Sequence, residues 1–331
     1  DVIVHQGNDF QITNEFWEQI QVMTKEFLDE GQLVTFPGYE WSGNTGLGGD
    51  RNVLFFHEGE PIRRSSHALV SDLSDVDTDC NSSDALFKSL KGTETVVFAH
   101  VGGRYADIQS HEGNLERSVE IHSAWGTFEW MLQDALRNGY RVGIVSNSDG
   151  HKGRPGASYP GASMFGSYGG LTCMLARQLT REGIWESLLR RHHYGTTGNR
   201  MYMDVRVQLN KHGRSFIEDP QLGETESEIT QVGIMGDIIQ TTEHEVTLHL
   251  EIITSAPIEK LEIRNGLSIL ETVRPYKPSE LGNRIRVIWA GAEYRGRGRE
   301  TVWDGCASLS GNTFETITPI NMYNLEKTVT Q

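Results

Sequence analysis

The hydrophobic period of this chain changes near residue 200, and that change restricts the fold more than any other feature. Before it, apolar runs at 33–36, 51–56, 96–99, 118–121 and 142–145 have the length of strands. Segments of helical period lie between and around them. Phe16, Ile20, Met23 and Phe27 follow Thr13 or Asn14 as a cap and precede Gly31 as a stop. Thr127 heads a segment with Phe128, Met131, Leu132, Ala135 and Leu136 on one face and Gly139 at its end. Thr180 heads another through Ile184, Leu188 and Leu189. Short strands interleaved with amphipathic helices predict an α/β fold, a parallel sheet or barrel covered by helices. Beyond residue 200 the pattern alternates: Val205 and Val207, then Val246, Leu248, Leu250 and Ile252, then Leu261 and Ile263, then Ile285, Val287 and Trp289. With turn signals such as Arg264-Asn265-Gly266, this predicts an antiparallel β-sandwich-like domain. The expected domains are therefore 1–200 and 201–331.

A length of 331 residues agrees with more than one core. No apolar run approaches the ~18 residues of a membrane span. The net charge of -15 argues against nucleic acid as the main partner, because a phosphate backbone rewards a basic face. The acidic surplus has two readings, a solvated surface or a set of metal ligands. Cys80, Cys173 and Cys306 are odd in number and form no CxxC pair, which gives neither a disulfide framework nor a thiolate zinc site. They lean toward a reducing, cytoplasmic setting. The opening Asp1-Val2-Ile3-Val4-His5 reads as a strand already in progress, so an N-terminal strand is expected to be missing and the C-terminal domain to be truncated.

Ligand-type residues recur at the strand ends of the first 200 residues, where chemistry sits in α/β folds. Glu40 follows the first apolar run and His100 the third. Glu120 with His122, and Asp149 with His151, are spaced two apart and point the same way on an extended segment. Imidazole and carboxylate donors suit zinc, manganese or iron, and several carboxylates can bridge more than one ion. Singly, each has a plainer reading: His100 as a hydrogen-bonded core histidine, Glu40 as a loop carboxylate. Arg51, Arg104 and Arg154 neighbour these positions and are candidates for holding an anionic group bidentately, or are ordinary surface arginines. Gly46-Leu47-Gly48-Gly49 lacks the Lys-Ser/Thr of a phosphate-binding loop and leads into a strand. No GxSxG elbow supports a serine hydrolase. The basic run 295–299 reads as a hairpin tip, and the glycine-rich stretches 153–156 and 166–170 as turns or loops at a site mouth.

In order, Phe36-Pro37-Gly38-Tyr39-Glu40-Trp41, Arg51-Asn52-Val53, Ala99-His100-Val101-Gly102, Val119-Glu120-Ile121-His122, Gly126-Thr127-Phe128-Glu129-Trp130, Asn147-Ser148-Asp149-Gly150-His151 and Tyr194-Gly195-Thr196-Thr197-Gly198 resemble the PHP (polymerase and histidinol phosphatase) superfamily of metallohydrolases, in its carbaryl-hydrolase-like branch. The resemblance spans roughly residues 10–205. It implies a distorted (β/α)7 barrel with two or three divalent metal ions at the strand C-termini. It matches Glu40 to a bridging glutamate, His100 to the Ala-His-Pro histidine with Val101 in place of Pro, and Asp149 and His151 to the terminal Asp-x-His pair. Glu120 and His122 fall on the ligand-bearing strand between. The family's opening His-x-His has no match, and its Thr-Asp-His turn falls on Val4-His5-Gln6-Gly7-Asn8, where His5 replaces one ligand and Gln6 or Asn8 are weak substitutes.

The combined expectation is hydrolysis by a metal-bound hydroxide, with His5, Glu40, His100, Glu120, His122, Asp149 and His151 as the ligand set. A small-molecule phosphoester is the favoured substrate, with an aryl ester or carbamate as the alternative. A non-catalytic binding module with a degenerate site is the reading from a different class.

Overall fold

The computed structural model describes residues 1–151, 153, 169–288, 295 and 303–318. The chain divides into two units, 1–282 and 283–331. The first holds every strand and helix named below. In the second, the described residues form neither, so the strand expected from Ile285 is absent over 285–288, and Trp289 lies outside the described residues.

The order opens with β1 (Val2–Val4), α1 (Asn14–Glu26), β2 (Val34–Phe36), β3 (Gly38–Trp41), β4 (Arg51–Phe55), α2 (Ser83–Leu90) and β5 (Thr95–Ala99). It continues through β6 (Ser118–Ser123), β7 (Gly126–Thr127), α3 (Glu129–Arg137), β8 (Gly143–Ser146), β9 (Leu171–Met174), α4 (Arg181–Leu189) and β10 (His193–Thr196). The all-β stretch follows: β11 (Met201–Phe216), β12 (Ser227–Ile234), β13 (Ile238–Gln240), β14 (Thr247–Thr254), β15 (Leu261–Asn265) and β16 (Ser268–Val273).

The expected α/β class is present, but among the described residues no (β/α)7 barrel is evident and only four α-helices occur. The central sheet is mixed. β3, β4 and β5 run antiparallel, β5 and β6 are parallel, and β8 lies parallel on β6. For β3 and β4 the reason lies in the connection. A parallel pair needs a crossover of a dozen or more residues, and residues 42–50 between β3 and β4 are too few and contain no α-helix. The crossovers that the sequence pattern implies are formed by β1–α1–β2 and β6–α3–β8, each with a helix between two parallel strands.

Both faces of this sheet are covered. Tyr39, Trp41, Val53, Phe55 and Val97 alternate onto the α1 and α2 side, with Trp17 edge-on to Tyr39 at 5.6 Å. Phe36, Leu54, Val96 and Phe98 pack with Trp185 and Leu188 of α4. α1 is capped by Thr13, whose hydroxyl accepts from the Phe16 amide. Its inward face is Trp17, Ile20 and Thr24, while Phe16, Met23 and Phe27 are exposed, so the stripe expected from the sequence is rotated. The aromatic ring with Tyr39 and Phe55 to pack against wins over the spacing of the other apolar residues. α3 begins after Phe128 rather than Thr127, because Thr127 pairs in β7 and its hydroxyl shares a hydrogen bond with His122 Nδ1.

Beyond residue 200 the antiparallel expectation holds: β11 pairs with β12, β13 and β14, and β15 with β16 through a turn at Gly266, whose φ is 57°. The position near 200 proposed as a boundary falls between β10 and β11, inside the first unit.

Candidate functional site

Three chain segments converge on the ring of His100. Glu40 lies on β3, and because Tyr39 and Trp41 on either side turn into the core, alternation sends Glu40 to the opposite face. His100 follows β5 directly, and Asp149 stands three residues past β8. His100 Nε2 is 3.7 Å from Glu40 Oε2 and 3.9 Å from Asp149 Oδ2. The other ring nitrogen, Nδ1, donates to Glu120 Oε1 at 2.6 Å. Glu120 is saturated, since its Oε2 accepts from Asn147 and, at 3.4 Å, from Asn52. A carboxylate behind a histidine fixes the tautomer and aims the free nitrogen, as around metal ions.

Asp50 completes the cluster, and the sequence reading did not single it out. It is fully buried, Oδ1 takes the Arg104 Nε–H at 2.8 Å, and Oδ2 takes the Arg104 amide at 2.9 Å. A Cβ built on Gly102 would stand 2.9 Å from Asp50 Oδ2 and 3.0 Å from His100 Nε2, so glycine leaves the space beside both donors open. The one signal in the sequence was its place directly before Arg51-Asn52-Val53. What makes it part of the site is strand register, which pairs Arg51 with Ala99 and so sets residue 50 beside residue 100.

Four carboxylates around one imidazole leave excess negative charge, and it shifts their proton affinities. Burial pushes the Glu40 carboxyl up to about 7, with His100 opposing and Asp50 and Asp149 adding. Burial likewise raises Asp149 and Asp50, each partly offset by positive neighbours. For His100, burial works against the cation, but Glu120, Glu40 and Asp149 outweigh it and hold the ring at about 10. Glu40 Oε1 is steadied by Asn8 at 2.8 Å and Ser42 at 2.9 Å, so Asn8, the weak substitute in the family's turn, does reach the site.

The donor set fits a divalent cation. Asp149 Oδ2 is buried without a hydrogen-bond partner, and an orphaned carboxylate oxygen facing an imidazole nitrogen calls for a positive charge. Two ligands on a tetrahedral ion with ~2.1 Å bonds stand about 3.4 Å apart. The observed 3.7 and 3.9 Å separations therefore need only a small contraction. As they stand, no three His, Cys, Asp or Glu side chains among the described residues enclose an ion.

The other candidates make different contacts, with His151 Nδ1 3.6 Å from Asp149 Oδ1. His122 is buried with Nδ1 on Thr127 at 2.8 Å. His151 is more exposed, its Nδ1 donating to the Asp149 carbonyl at 2.9 Å and its ring edge-on to Trp125. His5 packs edge-on against Phe16 at 5.6 Å and accepts from the Gly7 amide; burial lowers its pKa. None of these contacts is with Glu40, His100 or Asp149, the Asp149–His151 neighbours excepted. Arg51 is fully buried, paired with Glu116 at 2.6 Å and bound to the carbonyls of Gly48, Gly49, Asp107 and Ser110. Its donors are spent on the protein's own loops. The glycine loop at 46–49 serves the same packing: a Cβ on Gly49 would meet the Tyr105 carbonyl at 1.9 Å. Arg104 is 21% exposed and borders an open cleft of about 260 Å³, whose wall also includes Ser42. Arg154 lies outside the described residues.

The comparisons with known proteins are distant. A family described as protein of unknown function, DUF3604, matches residues 156–246, a stretch that leaves out Glu40, His100 and Asp149. An uncharacterized protein of Chlamydia pneumoniae is 24% identical over 223 residues, covering 60% of this chain and 34% of that protein. The chain thus spans about a third of the length of the curated relative it matches. Among solved structures, a two-domain protein of Bacteroides vulgatus containing a predicted PHP-like metal-dependent phosphoesterase is similar at a TM-score of 0.34 and 9% identity, over 75% of this chain and 73% of that one. A likeness that low carries neither fold nor activity. No helix among the described residues is long and apolar enough to cross a membrane.

Proposed function

We propose that the protein is a metal-dependent hydrolase of the PHP type, acting on a phosphoester. One observation carries the reading: Glu40 Oε2 and Asp149 Oδ2 both face His100 Nε2, and Asp149 Oδ2 is buried with no hydrogen-bond partner. A zinc, manganese or iron ion held by these three residues supplies Lewis acidity to the ester and its attacking water. Glu120 orients His100, and Ser42 with Asn8 orients Glu40. Asp50 holds Arg104 by Nε and by its amide, which leaves the rest of the guanidinium for an anionic oxygen. That free cationic edge favours a phosphoester over a neutral carbamate. His5, His122 and His151 are proposed to serve a second or third ion, each after moving from its present contacts. The finer reading of the fold as a distorted PHP barrel rests on the β6–α3–β8 crossover and on site residues at strand ends.

Purified protein should contain divalent metal by elemental analysis and should hydrolyse p-nitrophenyl phosphate or its diester with zinc, manganese or iron. Failure with every ion removes the phosphoester reading. Turnover of a naphthyl carbamate alone moves the assignment to the carbamate alternative. Metal-free protein unaffected by Asp149→Asn establishes a non-catalytic module.

A further inference from the structure

The cleft beside the cluster shares two walls with it. Ser42 donates to Glu40, and Arg104 is bound to Asp50. Among the described residues the lining contains no acidic residue, and its one charged side chain, Arg104, is held at Nε by Asp50. With the phosphoryl group assigned to Arg104, at the edge that the cleft shares with Asp50 and the cluster, the uncharged remainder of the lining suits the other half of the ester.

Its chemistry narrows that half further. Asn44, Ser65, Ser66 and Asn81 present hydroxyls and amides, and Phe10 presents an aromatic ring with the Arg104 guanidinium over it at 5.8 Å. Among the described residues, the Asn44 amide, the Ser66 hydroxyl and the two terminal nitrogens of Arg104 have no hydrogen-bond partner. Hydroxyls and amides donate and accept in adjacent directions, as vicinal hydroxyl groups require. The aromatic face serves the C–H side of the same ligand. A volume of about 260 Å³ is below that of drug-sized sites and admits roughly one small ring. An aryl group there offers these polar groups no partner, so it should bind more weakly than a hydroxylated one, while an activated aryl ester such as p-nitrophenyl phosphate still turns over because p-nitrophenolate departs readily.

We propose that this cleft binds the leaving group of the ester, and that the leaving group is hydroxylated, a monosaccharide or small polyol rather than a phenol. The catalytic meaning of this assignment rests on the hydrolase reading; the binding itself does not. The test uses the full chain without added metal, observed by saturation-transfer NMR with methyl α-glucoside, glycerol and phenol. Methyl glucoside or glycerol should bind in preference to phenol. Ser66→Leu, which fills the cleft, and Asn44→Leu, at an exposed position that leaves the core untouched, should each weaken that binding about tenfold or more. Tighter binding of phenol than of either polyol, or polyol binding unchanged in both variants, overturns the proposal. Polyol binding without phosphoester turnover under any ion would sink the hydrolase reading and leave the cleft assignment standing. Turnover of p-nitrophenyl phosphate with no polyol binding has the opposite meaning.

Discussion

Asp149 holds a left-handed backbone angle, φ 44°, while its Oδ2 stays buried and unpartnered. Both features are unfavourable alone, and strain of this kind collects where the surrounding structure uses it. Asparagine tolerates the same backbone region, so Asp149→Asn should fold and melt like the parent in the absence of metal. It should nonetheless lose bound metal and lower turnover by about a hundredfold or more, read by elemental analysis and rate together. Unchanged metal content in that variant would remove Asp149 from the ligand set. Glu120→Ala acts through His100 instead: it should weaken metal retention about 10- to 100-fold, with His100 still present. A different imidazole gives a pH prediction free of the metal question. His193 is buried, its Nδ1 donating to the Ser187 carbonyl and its Nε2 accepting from Ser118, and burial lowers its pKa to about 4. The unfolded ring titrates near ~6.5 and then binds more protons than the folded one. Stability from this residue is therefore complete above that pH and falls as pH drops toward 4, by about 3 kcal/mol in all. Urea titrations of the parent and of His193→Gln at pH 7 and pH 5 should show a smaller pH slope in the variant.

At the scale of the elements, Arg51 shows how a residue near the right place can be read for the wrong role. It opens β4, and from there its guanidinium ties Glu116 and the loops at 48–49 and 107–110 together. Removing it leaves buried Glu116 Oε1 without its partner, with only His111 still on Oε2, so Arg51→Ala should destabilise by about 3–5 kcal/mol in a denaturant titration. A variant of parental stability with only KM raised would return Arg51 to substrate binding. The sequence made Glu40, His100 and Asp149 visible because each follows or ends an apolar run, where local pattern and fold geometry coincide. It did not make Asp50 visible, because that residue enters the site through the pairing of Arg51 with Ala99, 48 residues apart in sequence. The same limit explains the sheet. Strand positions follow from apolar runs, but antiparallel β3–β4 follows from connection length, and β4–β5 is antiparallel although a long segment with α2 joins it, neither of which the helix–strand alternation shows. The loss of Phe16 and Met23 from the buried face of α1 is a tertiary choice too, made by the ring contacts of Trp17.

For the molecule as a whole, the acidic surplus acquires a location. The net charge of -15 is mostly surface, but Glu40, Asp50, Glu120 and Asp149 bring four carboxylates into one buried place, answered by His100 and Arg104. The segments carrying Glu40, His100 and Asp149 are far apart in the chain, at the third, fifth and eighth strands or just beyond them. A cation held by all three would relieve the like-charge repulsion and cross-link those segments, and the unfolded chain offers no such arrangement. Binding to the folded state alone stabilises in proportion to saturation, about 2.7 kcal/mol at a hundredfold excess over Kd. Stripping the protein with a chelator should therefore lower its melting temperature by several degrees, and zinc or manganese should restore it in a concentration-dependent way. The shift should vanish in Asp149→Asn, whereas a general salt effect on the surface charge would persist there and would appear equally with magnesium or sodium at matched ionic strength. A melting temperature indifferent to chelator and to every added divalent ion would mean that His100, as an imidazolium, already completes the cluster, and that the site is an ion-pair network with no place for a metal.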